Sequence, residues 1–241
     1  MIKCILLDLD QTLAMPEQGY KFQDEILKGY TKVLSEFFNI PTEKVVKVVL
    51  EVVEEVKRDP QEKYTIAERL FFGFAKKLGV TIIEMLEATD YYYFNEFIKL
   101  KKHYKATTGA YEVTKELVDE GYHLAIATDP LIRLFGVVMR IKWIGLERIP
   151  FCFISSADTS HAAKPHPLFY KEIVEKCFCK PNEAVMVGDL IENDIIGAKK
   201  AGLKTILFVH DLNKELNKKS IIKPDAIIHS LYELPSIIKK F

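Results

Sequence analysis

Six short apolar runs, each stopping at a polar residue or a turn, set the tightest limit on how this chain can fold. Residues 2–7 run into Asp8, 122–127 into Thr128, 151–154 into Ser155, 184–187 into Gly188-Asp189, 204–209 into His210 and 226–228 into His229. The runs are apolar at nearly every position rather than at alternate ones, the pattern of strands covered on both faces of a parallel sheet. Helix-like segments at 110–120, 167–177 and 194–200 lie between them, the first stopping at Gly121 and the last at Gly202, as a left-handed helix end favours. Strands alternating with helices predict an α/β fold, and such sheets bind ligands beyond the carboxyl ends of their strands. Asp8, Thr128 and Asp189 all fall at such ends.

Residues 21–105 read differently. Amphipathic stretches at 22–38, 42–57, 65–78 and 81–103 predict four helices, punctuated by Pro41 and Gly79, with Thr42 as a candidate cap of the second. They form a helical insert between the first strand and the rest of the sheet. A chain of 241 residues is long enough for a sizeable core and a second domain. Gly19, following Pro16, marks a candidate hinge.

Thirty-four basic residues balance thirty-four acidic ones, so no global field draws this chain to nucleic acid or to an anionic membrane. Two Lys-rich stretches, 99–105 and 214–223, lack interleaved aromatic residues and read as solvated faces. No apolar run approaches the length of a membrane span, and the N-terminus opens straight into a strand without a signal peptide, so a cytoplasmic location is expected. Cys4, Cys152, Cys177 and Cys179 lack the paired spacing of a zinc site. All four are expected to be thiols in a reducing compartment, Cys4 and Cys152 as small core residues.

Chemistry concentrates at the strand ends. Asp8 and Asp10 are two apart on extended backbone, so their side chains share a face, and two close carboxylates repel unless a cation or proton intervenes. Magnesium, which prefers oxygen ligands, would compensate them. Asp189 follows another strand and is placed to reach a metal held by Asp8. Asn193 and Asp194 lie at a helix start, where they serve either as caps or to orient Asp189 from behind. Lys164 precedes Pro165 on extended chain, with Pro167 suited to the first turn of the next helix. Carboxylates, the Thr128 hydroxyl and the Lys164 ammonium are what magnesium-assisted transfer of a phosphoryl group to a carboxylate requires.

The ordered set resembles the four motifs of the haloacid dehalogenase superfamily, most of whose members are phosphatases. The motifs are DLDQT at 8–12, the apolar run ending at Thr128, KPHP followed by Phe169 from Lys164, and GDLIEND at 188–194. The likeness covers residues 1–14 and about 106–235. It implies a Rossmann-like three-layer core with a parallel sheet, formed by 1–14 and 106–241, and a C1-type helical cap at 15–105. By that resemblance, Asp8 is the nucleophile of an aspartyl-phosphate pathway, and Asp10 is the acid and base. Mg2+ is held by the side chains of Asp8 and Asp189 and the backbone carbonyl of Asp10. Thr128, Lys164 and backbone N–H groups at Leu9 and Asp129 hold the phosphoryl oxygens, with Asn193 and Asp194 behind them. The expected partner is a small phosphorylated metabolite. Arg58, Lys63, Tyr64 and Arg69 are candidate substrate contacts in the insert, although a surface or packing role is the preferred reading of each.

Two positions depart from the pattern: Asp129, where relatives often carry Asn or Ser, and Leu190, where Ser or Thr is frequent. A carboxylate at 129 would repel a phosphate dianion unless it points away or meets a cationic group of the substrate. Alternatives within the superfamily are a 2-haloacid dehalogenase, a phosphonate hydrolase and a sugar-phosphate mutase. Outside catalysis, a phosphate-binding or regulatory module remains open.

Overall fold

The six apolar runs become one six-stranded sheet in the computed structural model, which describes residues 1–17, 19–210 and 222–241. The chain forms β1 (Cys4–Leu7) and the short β2 (Ala14–Pro16), then four helices, α1 (Phe22–Phe38), α2 (Thr42–Arg58), α3 (Ile66–Leu78) and α4 (Ile82–Asn95). It returns through β3 (Tyr104–Ala106) and continues as α5 (Ala110–Asp119), β4 (His123–Ile126), α6 (Leu134–Trp143), β5 (Phe151–Ile154) and α7 (Pro167–Lys176). β6 (Ala184–Gly188), α8 (Gly197–Ala201), β7 (Lys204–Phe208), β8 (Ala226–Ile228) and α9 (Leu234–Ile238) complete it. The sheet order is β5-β4-β1-β6-β7-β8, and every neighbouring pair is parallel. The result is a Rossmann-like α/β layer structure.

Period-two alternation explains the two covered faces. Ile5 and Leu7 of β1 join Val113 and Leu117 of α5 and Val137 and Ile141 of α6 in one apolar cluster. Cys4 and Leu6 join Phe169, Ile173 and Val174 of α7 and Ala198 of α8 in another. Leu7 lies level with Ile126 on one side and Val187 on the other, so three strands end together. After β1 the chain builds β4 and β5 on one side of it, then crosses to build β6, β7 and β8 on the other. This divergence opens a crevice at the carboxyl end of β1.

The insert's helices pack mainly on each other. Val45, Val48, Val49, Val52 and Val56 give α2 an apolar stripe against Ile66, Leu70 and Phe74 of α3. Gly73 permits the close approach, because a Cβ there would lie 2.5 Å from Val52 Cγ1. Thr65 with Glu68 and Thr81 with Glu84 form reciprocal capping boxes that start α3 and α4, a device worth about 1 kcal/mol per helix. The chain leaves and returns to the sheet side by side, because β2 and β3 pair antiparallel with Ala14 opposite Ala106.

Several expectations need correction. Thr42 is the first residue of α2, not its cap. Pro41 holds the cap position, and the Thr42 hydroxyl pairs with Ser35 at 2.9 Å. The stretch 81–103 is not one helix: α4 ends at Asn95, and a tighter 3-10 segment, Phe97–His103, follows. The break turns Phe97 inward, fully buried and stacked on Trp143 at 5.3 Å. The helix expected at 194–200 begins with a wide π-turn, Ile191–Ile196, before α8. The helix α6 and the β2–β3 pair were not anticipated. Cys152 and Cys177 are not thiols but a disulfide with Cα atoms 5.4 Å apart, because the edge strand β5 lies against the end of α7. Cys4 and Cys179 remain free. Of the Lys-rich stretches, Lys101, Lys102 and Lys105 are exposed as expected, and 214–221 lie outside the described residues. Among the described residues, no helix is long and apolar enough to cross a membrane.

Candidate active site

Asp8 is the first residue beyond β1, and its N–H still reaches Val187 O at 2.9 Å, so the sheet fixes its backbone. Lys164, on the loop before α7, lies 2.7 Å from Asp8 and 2.6 Å from Asp194 and is almost fully buried. Burial works against its charge, but Asp194 and then Asp8 outweigh that and hold the ammonium above its usual range. Asp194 also accepts the N–H of Leu190 at 2.9 Å. The π-turn carries Asp194 inward to make both contacts. Gly188 makes room for it, because a Cβ there would sit 2.3 Å from the Asp194 carboxyl. The carboxylate oxygens of Asp8, Asp189 and Asp194 approach within 4.8 Å of one another.

Such crowding is electrostatically unfavourable without a cation. Burial, then the charges of Asp8 and Asp194, push the Asp189 carboxyl up to about 8. Asp8 is also raised, first by burial, against the lowering effect of Lys164, with Asp194 adding to the rise. A cation among the three would reverse that pressure, and all-oxygen donors suit a hard divalent ion. The residues present therefore fit a hard divalent cation, with Asp189 the one of the three that Lys164 does not engage.

Thr128 is buried at the end of β4, where Ser155 Oγ donates to its carbonyl at 2.8 Å. Leu9 is buried behind the nucleophile candidate, and Asn193 gives its carbonyl to the Tyr170 hydroxyl on α7. Asp10 is held from behind. The Tyr104 hydroxyl donates to one of its carboxylate oxygens, and Arg140, fully buried on α6, reaches the other at 2.7 Å. Burial, followed by the Asp10 charge, pushes the Tyr104 hydroxyl well above its ordinary value, so it stays a proton donor. Nε and Nη2 of Arg140 have no hydrogen-bond partner among the described residues.

The unusual Asp129 finds its cation. Its carboxylate pairs with Lys57 of α2 at 2.8 Å, so the insert neutralises the charge that departs from the motif. Lys57 was not foreseen, although Val49, Val53 and Lys57 repeat at helical spacing on one face of α2. Arg58, Lys63, Tyr64 and Arg69 are not among the residues lining the cavity above Asp8. Arg69 instead bonds the carbonyls of Asp59 and His161. That cavity, about 490 Å³, has Asp8, Asp10, Thr128, Asp129, Lys164, Asp189, Asn193 and Asp194 at its floor and α1–α4 as its roof. Tyr104 and Arg140 were equally invisible in the sequence, since each meets Asp10 only through the fold.

Comparison with known proteins agrees with this architecture. The chain is 32% identical over 133 residues to the glyceraldehyde 3-phosphate phosphatase of Pyrococcus furiosus, a match spanning 55% of this chain and 54% of that relative. It is 24% identical to the pyrophosphatase PpaX of Bacillus mycoides over 99% of this chain and 98% of that protein. A 2-haloacid dehalogenase from Pseudomonas syringae pv. Tomato DC3000 superposes with a TM-score of 0.68 at 23% identity, covering 100% of this chain and 99% of that one, a likeness of fold alone. Residues 5–208 match the sequence model of the haloacid dehalogenase-like hydrolases, and the chain belongs to that family.

Proposed function

We propose that this hydrolase is a magnesium-dependent phosphatase acting on small phosphorylated metabolites through an aspartyl-phosphate at Asp8. The observation that carries the reading is the buried ammonium of Lys164 held between Asp8 and Asp194, with Asp189 beside them. A nucleophilic carboxylate needs its own charge offset if it is to approach a phosphate dianion, and Lys164 and a bound cation provide that.

In this reading Asp8 and Asp189 hold Mg2+ together with the backbone carbonyl of Asp10. When bound, the ion neutralises charge on the transferring phosphoryl group. A carboxylate oxygen of Asp8 attacks phosphorus in line with the leaving alcohol, and the phosphorus–oxygen ester bond breaks. Thr128, Lys164 and the backbone N–H groups of Leu9 and Asp129 hold the phosphoryl oxygens. Asp10 gives its proton to the leaving oxygen and then takes one from the water that hydrolyses the acyl phosphate. Tyr104 and Arg140 draw Asp10 back in this structure, so delivery of the proton requires its side chain to turn toward Asp8. Asp194 and Asn193 fix Lys164 and the turn behind Asp189. Residues 15–105 act as the lid over this floor, and the paired β2 and β3 are its two connections.

Dehalogenation gives Asp10 and Asp189 no task, and a binding module has no need of a buried lysine against a carboxylate nucleophile. The test is magnesium-dependent release of phosphate from para-nitrophenyl phosphate, compared with chloride release from 2-haloacids. The reading requires the first, its loss in Asp8→Asn with the fold retained, and no chloride. Full phosphate release after exhaustive chelation would overturn it.

A further inference from the structure

Most polar groups of the cavity above Asp8 lie at its floor; above them the lining is apolar except for Gln23, Asp24, Lys57, Thr89, Arg133 and the tyrosine hydroxyls. Its upper wall comes from Ile26, Leu27, Tyr30, Val53, Leu131 and Ile132, all half-buried although they lie inside the molecule, so their remaining apolar surface faces the cavity. The hydroxyls in this part are already engaged. Tyr30 pairs with Thr89 at 2.9 Å, Tyr92 donates to Ile26 O at 3.1 Å, and Tyr93 accepts the N–H of Arg133 at 3.0 Å.

The cations are equally committed. Each of the four that line the cavity already meets a carboxylate: Lys57 with Asp129 at 2.8 Å, Arg133 with Asp158 at 2.6 Å, Arg140 with Asp10 at 2.7 Å, and Lys164 with Asp8 and Asp194. The same lining carries six carboxylates, at Asp8, Asp10, Asp24, Asp129, Asp189 and Asp194. With Arg133 spent on Asp158, three cations face those six carboxylates, so the lining is negative and needs a divalent ion before even one phosphate dianion can sit at the floor. A second phosphate or a carboxylate higher up would meet a mostly apolar wall and, among the described residues, no uncommitted cation, and would be buried without a charge partner. The two unpaired donors of Arg140 belong to a guanidinium that Asp10 already neutralises.

We infer that the substrate is a phosphate monoester of an alcohol with an uncharged, largely apolar body, alkyl or aryl, which fills the space beneath α1 and α2. This rests on the phosphatase reading and sharpens it, and it separates the chain from the diphosphate and triose phosphate named in its relatives. Each methylene moved from water into the cavity then strengthens binding of substrate and transition state by the ordinary hydrophobic increment, about threefold to fourfold in kcat/KM. The increment stops when the cavity is full.

The experiment is a series of n-alkyl phosphates from propyl to octyl, assayed with magnesium below their micelle-forming concentrations. Leaving-group chemistry is constant along the series, so chain length isolates the wall. Pyrophosphate and glyceraldehyde 3-phosphate serve as comparison substrates. The expected result is kcat/KM rising by that factor per methylene and then levelling, with both comparison substrates below the best alkyl ester. Val53→Phe, which fills the cavity from α2, should bring the levelling to a shorter chain, and Val53→Asn should shrink the gain per methylene. A flat series with phosphate still released from propyl phosphate, or pyrophosphate as the best substrate, would overturn the inference and leave the phosphatase reading standing. No phosphate released from any member or from para-nitrophenyl phosphate would overturn both.

Discussion

Replacing Lys164 by methionine keeps the length of the side chain and removes its charge, leaving Asp8 and Asp194 without their shared cation. The lysine is 2% exposed and contacts the two carboxylates at 2.7 and 2.6 Å, so solvent replaces little of what is lost. Removing one partner of a buried ionic cluster costs about 3–5 kcal/mol. For a chain of this size each kcal/mol moves the melting temperature by about 2–4 °C, so Lys164→Met should melt about 6–20 °C lower at pH 8. The sign with pH follows from Asp8. Its carboxyl is already raised in the folded state, and losing Lys164, which opposes that rise, raises it further. A raised carboxyl binds its proton more tightly in the folded than in the unfolded chain, so stability falls as pH climbs from the ordinary carboxylate value through the raised one. The deficit of Lys164→Met should therefore be larger at pH 8 than at pH 5. Adding Asp194→Asn should recover part of it, since the second charge goes too. Thermal melts of the single and double variants at both pH values make the measurement. A drop at pH 8 under about 2 °C would refute the reasoning that the lysine holds the site together, using the conversion above.

Asp10→Asn should slow the transfer to Asp8, read as kcat/KM or as the first turnover of released alcohol, by about 10²–10⁴-fold for alkyl phosphates and much less for para-nitrophenyl phosphate, because the better leaving group needs little protonation. Equal losses would show that Asp10 acts only through position. Gly188→Ala places a methyl group against the Asp194 carboxyl and should cost about 1–3 kcal/mol by melting, with turnover lowered as Lys164 loses its anchor; an unperturbed melt and rate would refute the packing argument. With Asp189 raised to about 8, the metal-free protein should lose stability as pH rises from the ordinary carboxylate range toward 8, and magnesium should restore it most at the upper end. Melts across that range with and without magnesium would contradict this if the two curves ran parallel.

The sheet was legible because both its faces are covered, which leaves strands such as β1 and β6 apolar at every position and makes their ends visible as sudden polar residues. The insert's helices were legible for a different reason: α2 repeats valine at helical spacing, and Thr65 and Thr81 stand three residues before a glutamate. What stayed hidden was set by distant contacts. Phe97 packs on Trp143 where the stretch 81–103 breaks, and the π-turn at 191–196 sets Asp194 against Lys164, neither of which local propensity reports. The motif residues marked the floor of the site, but the partners that tune it come from elsewhere. Arg140 and Tyr104 meet Asp10 only once α6 and β3 are in place, and Lys57 meets Asp129 only when α2 lies over β4's end. The disulfide was missed in the same way, since a separation of 25 residues says nothing of β5 lying beside the end of α7.

The claim on which the rest depends is that Asp8 carries the phosphoryl group. Asp10→Asn, supplied with magnesium and para-nitrophenyl phosphate, should load Asp8 readily and unload it slowly, because the leaving group needs no acid but the hydrolytic water needs a base. Rapid acid quenching during turnover, followed by peptide mass spectrometry, should then find one phosphoryl group on the peptide containing Asp8, and none in the Asp8→Asn, Asp10→Asn double variant. Sustained phosphate release with the Asp8 peptide unmodified throughout, or a phosphoryl group on another residue, would contradict the account.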